Sequence, residues 1–484
     1  MLNDFEIICL KSPFVRKESM EINPLIFREY DIRGVVNRDL TPEIVRRLGQ
    51  GFGTRMGSLG RKKLVVGRDG RLSSASFGEA LTEGILSTGC DVVDIGTCPT
   101  PVFYFSLFHL DKDGGMMVTG SHNPPEFNGF KVAVGKSTIF GEEIQDLRKL
   151  IENGQFMTGK GSLSKEGIIR PYQEYIRKNI SLEKKIKVVI DAGNGTGGMA
   201  AGPLLRDIGC EVEELYCEVD GRFPNHFPDP TLPENLRDLA RRVTIAGADV
   251  GIGYDGDADR IGVVDDRGGI LWGDQLMILF AREILKEKKG VAFVAEVKCS
   301  QNLYDEIEKQ GGKAIMWKTG HSLIKEKMKK EKAVLGGEMS GHIFFADRYF
   351  GYDDAIYASC RLLELLSRTE KKLSELLTGV PKTVITPEIR VECPDEIKFE
   401  VVERVRNDLR RDHPTIDVDG VRVKFEGGWG LVRASNTQPV LVLRFEAKTE
   451  DRLRAIRRFV EDKVKSAMKS LGVGGSRTDM DRPA

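Results

Sequence analysis

Three times along the chain an apolar run leads into a helical stretch, a glycine-containing turn and a second apolar run. LVVGRD (64–69) is followed in this way by TGCDVVDIG (88–96), VVIDAG (188–193) by IGCEVEELY (208–216), and VAFVAEV (291–297) by QGGKAIMWK (310–318). Each reads as strand, crossover helix, turn and second strand, a βαβ unit with an apolar, buried strand. Three copies predict three α/β domains of similar build. Such units resemble one another by default, so the repeat speaks for architecture only.

Beyond about Lys382 the period changes. IKFEVVERVRNDL (397–409) and TEDRLRAIRRFVEDKVKSAM (449–468) space their apolar residues as amphipathic helices. VRVKFEGGWGLVRAS (421–435) and PVLVLRFEAK (439–448) read as antiparallel strands around an SNTQ loop. The expected fold class is α/β: three similar mixed domains with βαβ units, then a smaller C-terminal α+β domain. The expected spans are 20–166, 167–269, 270–382 and 383–470. Residues 1–19 read as an N-terminal extension, or Met20 is the true start. Residues 471–484 are polar and glycine-rich without periodicity, which predicts a disordered tail.

Composition narrows the function classes. The chain has 484 residues, and its 73 basic and 73 acidic side chains balance to a formal net charge of zero. Bulk electrostatics therefore points to neither nucleic acid nor a membrane surface as partner. No apolar run approaches the roughly 20 residues that span a bilayer. The eight cysteines are scattered without a CxxC pair, as expected for reduced thiols in a cytoplasm. A monomer or weak homo-oligomer acting on small molecules is the expectation.

Two segments carry the chemistry. VTGSHNPPEFNGFK (118–131) presents Ser121 just after Gly120 and ahead of His122, Asn123 and two prolines. Glycine and the proline pair disfavour a helix here and predict a fixed, exposed loop. Its hydroxyl is either a helix N-cap or a nucleophile, and serine attacks only with help from a base, a metal or an anion site. GIGYDGDADRIGVVDD (251–266) alternates Asp255, Asp257 and Asp259 with small residues between two apolar, β-prone flanks. Three carboxylates so close repel unless a cation sits among them, and hard oxygens suit Mg²⁺ or Ca²⁺. An EF-hand loop is excluded, because the positions that need Gly and Glu hold Arg260 and Asp266. Arg260 adds a planar phosphate-binding fork.

Two further loops look like ligand readers. GGEMSGH (336–342) sets Glu338 and Ser340 among glycines, suited to sugar hydroxyls, and His342 as a proton-transfer candidate. RASNTQP (433–439) offers Arg433, Ser435, Asn436 and Thr437 as an anion site. KTGHSLIK (318–325) adds His321 and Lys325, while Arg33 and Lys131 on their own read as surface cations.

FREYDIRG, TGSHNPP, DGDADR, GGEMSGH and RASNTQP, in this order from about Phe27 to Glu446, resemble the α-D-phosphohexomutase family, specifically its bifunctional phosphomannomutase/phosphoglucomutase branch. The resemblance implies four domains around a central cleft. It implies interconversion of hexose 1- and 6-phosphates of mannose and glucose through a phosphoserine and a hexose 1,6-bisphosphate, which also serves as activator. One Mg²⁺ per chain would be held by Asp255, Asp257, Asp259 and Ser121. Catalytic roles fall to Ser121, Lys131, Arg33, His342, Arg260 and His122. Glu338, Ser340, His321, Lys298, Arg433, Ser435, Asn436 and Thr437 would hold the sugar phosphate. A phosphoglucosamine or N-acetylglucosamine-phosphate mutase, or a non-catalytic sugar-phosphate binder, are the competing readings.

Overall fold

The computed structural model describes residues 22–436 and 438–473. The expected extension at 1–19, Thr437 and residues 474–484 of the expected tail lie outside the described residues.

The repeat read from the sequence is present and extends further than two strands. In the first domain strand Lys63–Arg68 pairs in parallel with Asp91–Thr97 on one side and with Gly114–Val118 on the other; a hairpin then returns as Phe127–Val134. In the second, Lys187–Asp191 pairs with Glu211–Leu215 and Val250–Tyr254, and the hairpin strand is Ile261–Asp265. In the third, Ala292–Glu296 pairs with Lys313–Trp317 and Leu335–Gly337, and the hairpin strand is Ile343–Phe345. The strand order reverses at each central strand, and crevices beyond the carboxyl ends of strands at such a reversal are where open α/β sheets bind ligands. The hairpin loop of each domain leaves the carboxyl end of the third strand. Those loops carry Ser121, the three aspartates and Glu338.

The C-terminal domain is an antiparallel sheet built on strands Val421–Phe425, Gly428–Ala434 and Val440–Ala447. Helices Lys398–Leu409 and Glu450–Ser470 cover it, with Val405, Ile456 and Val460 packed on Val432 and Leu443. The chain is thus three similar α/β domains followed by a smaller α+β domain.

Domains one to three each keep an apolar cluster of their own, and they meet in one large apolar cluster. Its centre is helix Thr100–His109, TPVFYFSLFH, which is apolar all round and buries Val102, Phe103, Phe105 and Leu107. A helix with no polar face must be surrounded, and each of these side chains contributes about 1.5–3 kcal/mol on burial. Helix Ala355–Ser367 is nearly as buried and starts at an Asp354 cap that accepts from Tyr357 N at 2.8 Å.

The fourth domain attaches to the third through a seam of buried polar groups set around a small apolar cluster of Val297, Trp429 and Leu431. Arg422, fully buried, donates to Val297 O at 2.7 Å and Cys299 O at 2.8 Å and lies 3.7 Å over the Trp429 ring. Glu446 accepts from Ser300 Oγ at 2.6 Å and Trp429 Nε1 at 2.6 Å. Arg422→Met leaves two buried carbonyls without donors, a loss of about 2–4 kcal/mol. Calorimetry should show the C-terminal domain melting earlier and apart from the rest; an unchanged profile would show that the seam does not depend on this guanidinium.

Candidate active site

The serine loop connects two strands, so Ser121 caps no helix. It is also not exposed, contrary to the expectation for this loop: Ser121 is 5% accessible, because the acidic loop lies over it. Arg71 fixes the turn by donating to the carbonyls of Ser121 at 2.7 Å, Pro124 at 2.6 Å and Phe127 at 3.0 Å. Asp69 holds Arg71 at 3.2 Å and accepts from Gly120 N at 3.0 Å. The result is a left-handed Ser121 at φ 48°, a conformation that costs a non-glycine residue of order 1 kcal/mol or more. Its Oγ donates to Asp255 Oδ2 at 2.8 Å.

The acidic loop reaches Ser121 because residue 256 is glycine: a Cβ there would stand 2.4 Å from Ser121 O. Asp255, Asp257 and Asp259 are fully buried. Three helix starts converge on the loop. Thr196 N donates to Gly256 O at 3.0 Å, Thr100 N to Asp257 O at 2.8 Å and Ala355 N to Ala258 O at 3.3 Å. These are the positive ends of helices Gly197–Asp207, Thr100–His109 and Ala355–Ser367, one from each of three domains.

Asp255 is engaged at both oxygens, Asp257 and Asp259 at one each. Asp255 Oδ1 accepts from Asp259 N at 3.0 Å and Arg260 N at 3.1 Å. Asp257 Oδ2 accepts from Thr100 Oγ1 at 2.6 Å, Thr119 Oγ1 at 3.0 Å and Lys131 Nζ at 2.8 Å. Asp259 Oδ2 also binds Lys131 Nζ. Asp257 Oδ1 and Asp259 Oδ1 have no hydrogen-bond partner, and ligand oxygens of the three aspartates lie within 4.8 Å of one another. Two orphaned, buried, hard oxygens beside a third carboxylate fit a divalent cation such as Mg²⁺. The electrostatics agree. Burial, then repulsion from Asp259 and Asp257, pushes the Asp255 carboxyl well above its usual range. For Lys131 burial opposes the charge, but Asp257 and Asp259 outweigh it and hold the ammonium.

The third domain supplies the neighbouring wall. Arg260 Nε donates to His342 Nε2 at 2.9 Å. The His342 ring stacks on His321 with centroids 5.6 Å apart. Burial, then Lys325, holds His321 neutral. On the other side of the serine, His122 Nδ1 meets Asp229 Oδ2 at 2.7 Å. Burial, then Arg260, pushes His122 down to about 4 despite that carboxylate, so the contact joins a neutral imidazole to an ionised acid. Arg33 reaches the same loop, with one nitrogen 3.4 Å from Asn123 Oδ1 and another 2.6 Å from Asp31.

A second group of expected residues gathers beyond the His321–His342 stack. Glu338 Oε1 accepts from Gly320 N at 2.6 Å and its Oε2 from Ser340 Oγ at 3.2 Å. Lys298 lies between Glu388 at 3.1 Å and Glu296 at 3.5 Å; burial opposes its charge and the two carboxylates restore it. From the fourth domain, Arg433 Nε donates to Asp419 at 2.8 Å, Gln438 N donates to Ser435 Oγ at 3.2 Å, and Asn436 Nδ2 donates to Tyr30 Oη at 2.7 Å. Tyr30 in turn donates to Thr319 O at 2.8 Å, joining domains one, three and four.

The structure therefore brings together every described residue singled out above. It adds Arg71, Thr100, Asp229, Glu296, Asp353, Asp419 and Tyr30. Tyr30 sits inside FREYDIRG and Glu296 inside the apolar run VAFVAEV; the others lie outside the quoted segments, with partners distant in sequence.

Thr100 offers a test of the cation site that leaves the ligands intact. Thr100→Val removes the shortest hydrogen bond to Asp257 and should weaken Mg²⁺ binding about tenfold, read by calorimetric titration. Undiminished affinity would show that Asp257 is oriented without it.

The comparisons with known proteins agree with the four-domain fold. Family models for phosphoglucomutase/phosphomannomutase match as alpha/beta/alpha domain I over residues 24–158, domain II over 170–269, domain III over 272–384 and the C-terminal domain over 388–463. A phosphomannomutase/phosphoglucomutase of Pseudomonas aeruginosa is 46% identical over 449 residues, covering 93% of this chain and 97% of that one. A phosphoglucomutase of Neisseria gonorrhoeae is 43% identical over 436 residues, 89% of this chain and 95% of that one. The crystal structure of a phosphoglucomutase/phosphomannomutase family protein from Burkholderia thailandensis superposes with a TM-score of 0.88 at 41% identity, over 94% of this chain and 99% of that one. With its four domains matched in order and near-full-length relatives above 40% identity, the chain belongs to the α-D-phosphohexomutase family, in its phosphomannomutase/phosphoglucomutase branch.

Proposed function

We propose that this protein interconverts the 1- and 6-phosphates of mannose and glucose, with Ser121 carrying the phosphoryl group in transit. The observation that carries this reading is the position of Ser121 Oγ, buried and 2.8 Å from Asp255 in the acidic loop. A serine so placed faces a cation site rather than solvent. Asp255, Asp257, Asp259 and Ser121 would hold Mg²⁺, which when bound draws charge from a phosphate oxygen.

The chain's own residues perform the rest. The loop of Arg433, Ser435, Asn436 and Thr437 binds the phosphate that is not transferred. Glu338 and Ser340 hold two sugar hydroxyls shared by glucose and mannose, and Lys298 and His321 line the same region. The free sugar hydroxyl attacks the phosphorus on Ser121, and the bond from phosphorus to Ser121 Oγ breaks. Lys131, held as an ammonium, gives a proton to the departing Oγ. His342 takes the proton of the attacking hydroxyl at Nε2 once Arg260 turns to the phosphate. Arg260 and Arg33 steady the moving phosphoryl group, whose loose transition state needs positioning and charge more than covalent help. His122, neutral, packs beside the serine. The hexose 1,6-bisphosphate so formed turns end for end and returns its other phosphate to Ser121; added bisphosphate activates by charging the serine.

Ser121→Ala should lower turnover of mannose 1-phosphate and glucose 1-phosphate on the order of 10³-fold or more while sugar-phosphate binding persists. A coupled assay with all four sugar phosphates checks both points. Retained turnover in the variant would end the phosphoserine reading. Turnover of glucosamine or N-acetylglucosamine 1-phosphate alone would move the substrate to that class.

A further inference from the structure

Behind the reacting half of the site stands Asp353, in the segment GYDDA of the third domain. It is fully buried. Its Oδ1 accepts from Lys325 Nζ at 3.0 Å. Its Oδ2 has no regular hydrogen bond, and it faces His342 Nδ1 at 3.3 Å and His321 Nδ1 at 3.6 Å, two nitrogens that are likewise without one.

These atoms resemble a second metal site, since Asp259, His342 and Asp353 offer ligand atoms within 4.8 Å of one another. The imidazole excludes that reading. Arg260 Nε donates to His342 Nε2 at 2.9 Å, and a guanidinium has no acceptor. Nε2 must therefore present its lone pair. A neutral ring carries one N–H, so the proton sits on Nδ1, which cannot then ligate a cation. Two buried acceptors without a donor face Nδ1, Asp353 Oδ2 at 3.3 Å and Asp259 Oδ1 at 3.6 Å; the nearer is Asp353, and Asp259 is one of the three carboxylates of the cation site.

The backbone leaves the ring little other freedom. Arg260 and His342 form an antiparallel bridge between domains two and three, and Ile261 N donates to Gly341 O at 3.0 Å. Gly341 lies at φ 91°, and a Cβ there would stand 2.3 Å from Ile261 O. Asp353 is bridged to Phe344, on the strand that follows His342. What remains variable is which nitrogen carries the proton.

We propose that Asp353 is a positioning residue: it holds the proton of His342 on Nδ1 and so keeps Nε2 free to steer Arg260 and to accept a proton from the attacking hydroxyl. The catalytic half of this statement rests on the mutase reading above; the tautomer does not. An aspartate behind a histidine plays the same part in hydrolase triads, where the amide variant keeps the geometry and installs the wrong tautomer. Here Lys325 would claim the oxygen of an amide, so its NH₂ would face His342 Nδ1. That nitrogen would have to give up its proton to Nε2, where it would meet the Arg260 N–H.

The test is nuclear magnetic resonance of the full chain with isotope-labelled histidine, in which nitrogen shifts distinguish the two tautomers and His342→Gln identifies the signal. The wild-type ring should carry its proton on Nδ1, and Asp353→Asn should move it to Nε2. In that variant kcat should fall about 10²-fold or more, with KM for the sugar phosphate and Mg²⁺ affinity little changed. A wild-type His342 protonated on Nε2, or on both nitrogens, overturns the proposal even if the variant does not fold. So does a folded variant that keeps the Nδ1 proton. Wild-type protein with the expected tautomer but no mutase activity would instead refute the functional reading and leave this one standing.

Discussion

Three carboxylates with no access to water sit at one point of this molecule, and the rest of the site follows from how they are tolerated. An isolated buried carboxylate is costly, and three within one loop repel one another as well. The chain offsets this with the starts of three helices, with Lys131 and with the hydroxyls of Thr100 and Thr119. These donors come from domains one, two and three, which also meet in one shared apolar cluster beside the smaller clusters of their own. Helix Thr100–His109 shows both sides of the bargain. Its apolar body fills the core, and its first residue delivers two hydrogen bonds to Asp257. The same donors leave one oxygen of Asp257 and one of Asp259 without a hydrogen bond, which fits a divalent cation.

In the function we propose, the residues around that point form a reacting half and a recognising half. Ser121, the acidic loop, Lys131, Arg260 and His342 form the first; Glu338, Lys298, Arg433 and Asn436 form the second. The stacked rings of His342 and His321 join them, and Tyr30 closes the second half by reaching both Thr319 and Asn436. Under that proposal, a substrate that presents each of its two ends in turn to one serine fits such a division. The fourth domain is attached through Arg422, Trp429 and Glu446 around a small apolar cluster of Val297, Trp429 and Leu431.

Much of this was legible in the sequence because it is local. A βαβ unit declares itself by apolar runs and glycine turns, and strands Val250–Tyr254 and Ile261–Asp265 fall where the flanks of the acidic loop put them. DGDADR, GGEMSGH and RASNTQP combine several polar groups within a few residues, so each stands out alone. Asp353, Arg71, Glu296 and Asp419 do not. Each acts on a group elsewhere in the chain, as Arg71 does on the carbonyls of 121–127. The burial of Ser121 was missed for a related reason. Prolines and glycines describe the loop's own shape, whereas the lid over it is Gly256 from another domain.

The central claim is that Ser121 carries phosphate, and intact-mass spectrometry of the wild-type chain after brief exposure to hexose 1,6-bisphosphate and Mg²⁺ tests it most directly. The account predicts one added phosphoryl group per chain, mapped to Ser121 and removed when glucose 1-phosphate or mannose 1-phosphate is supplied. Phosphate found on another residue, or a chain that turns over sugar phosphates without ever being modified, would contradict it.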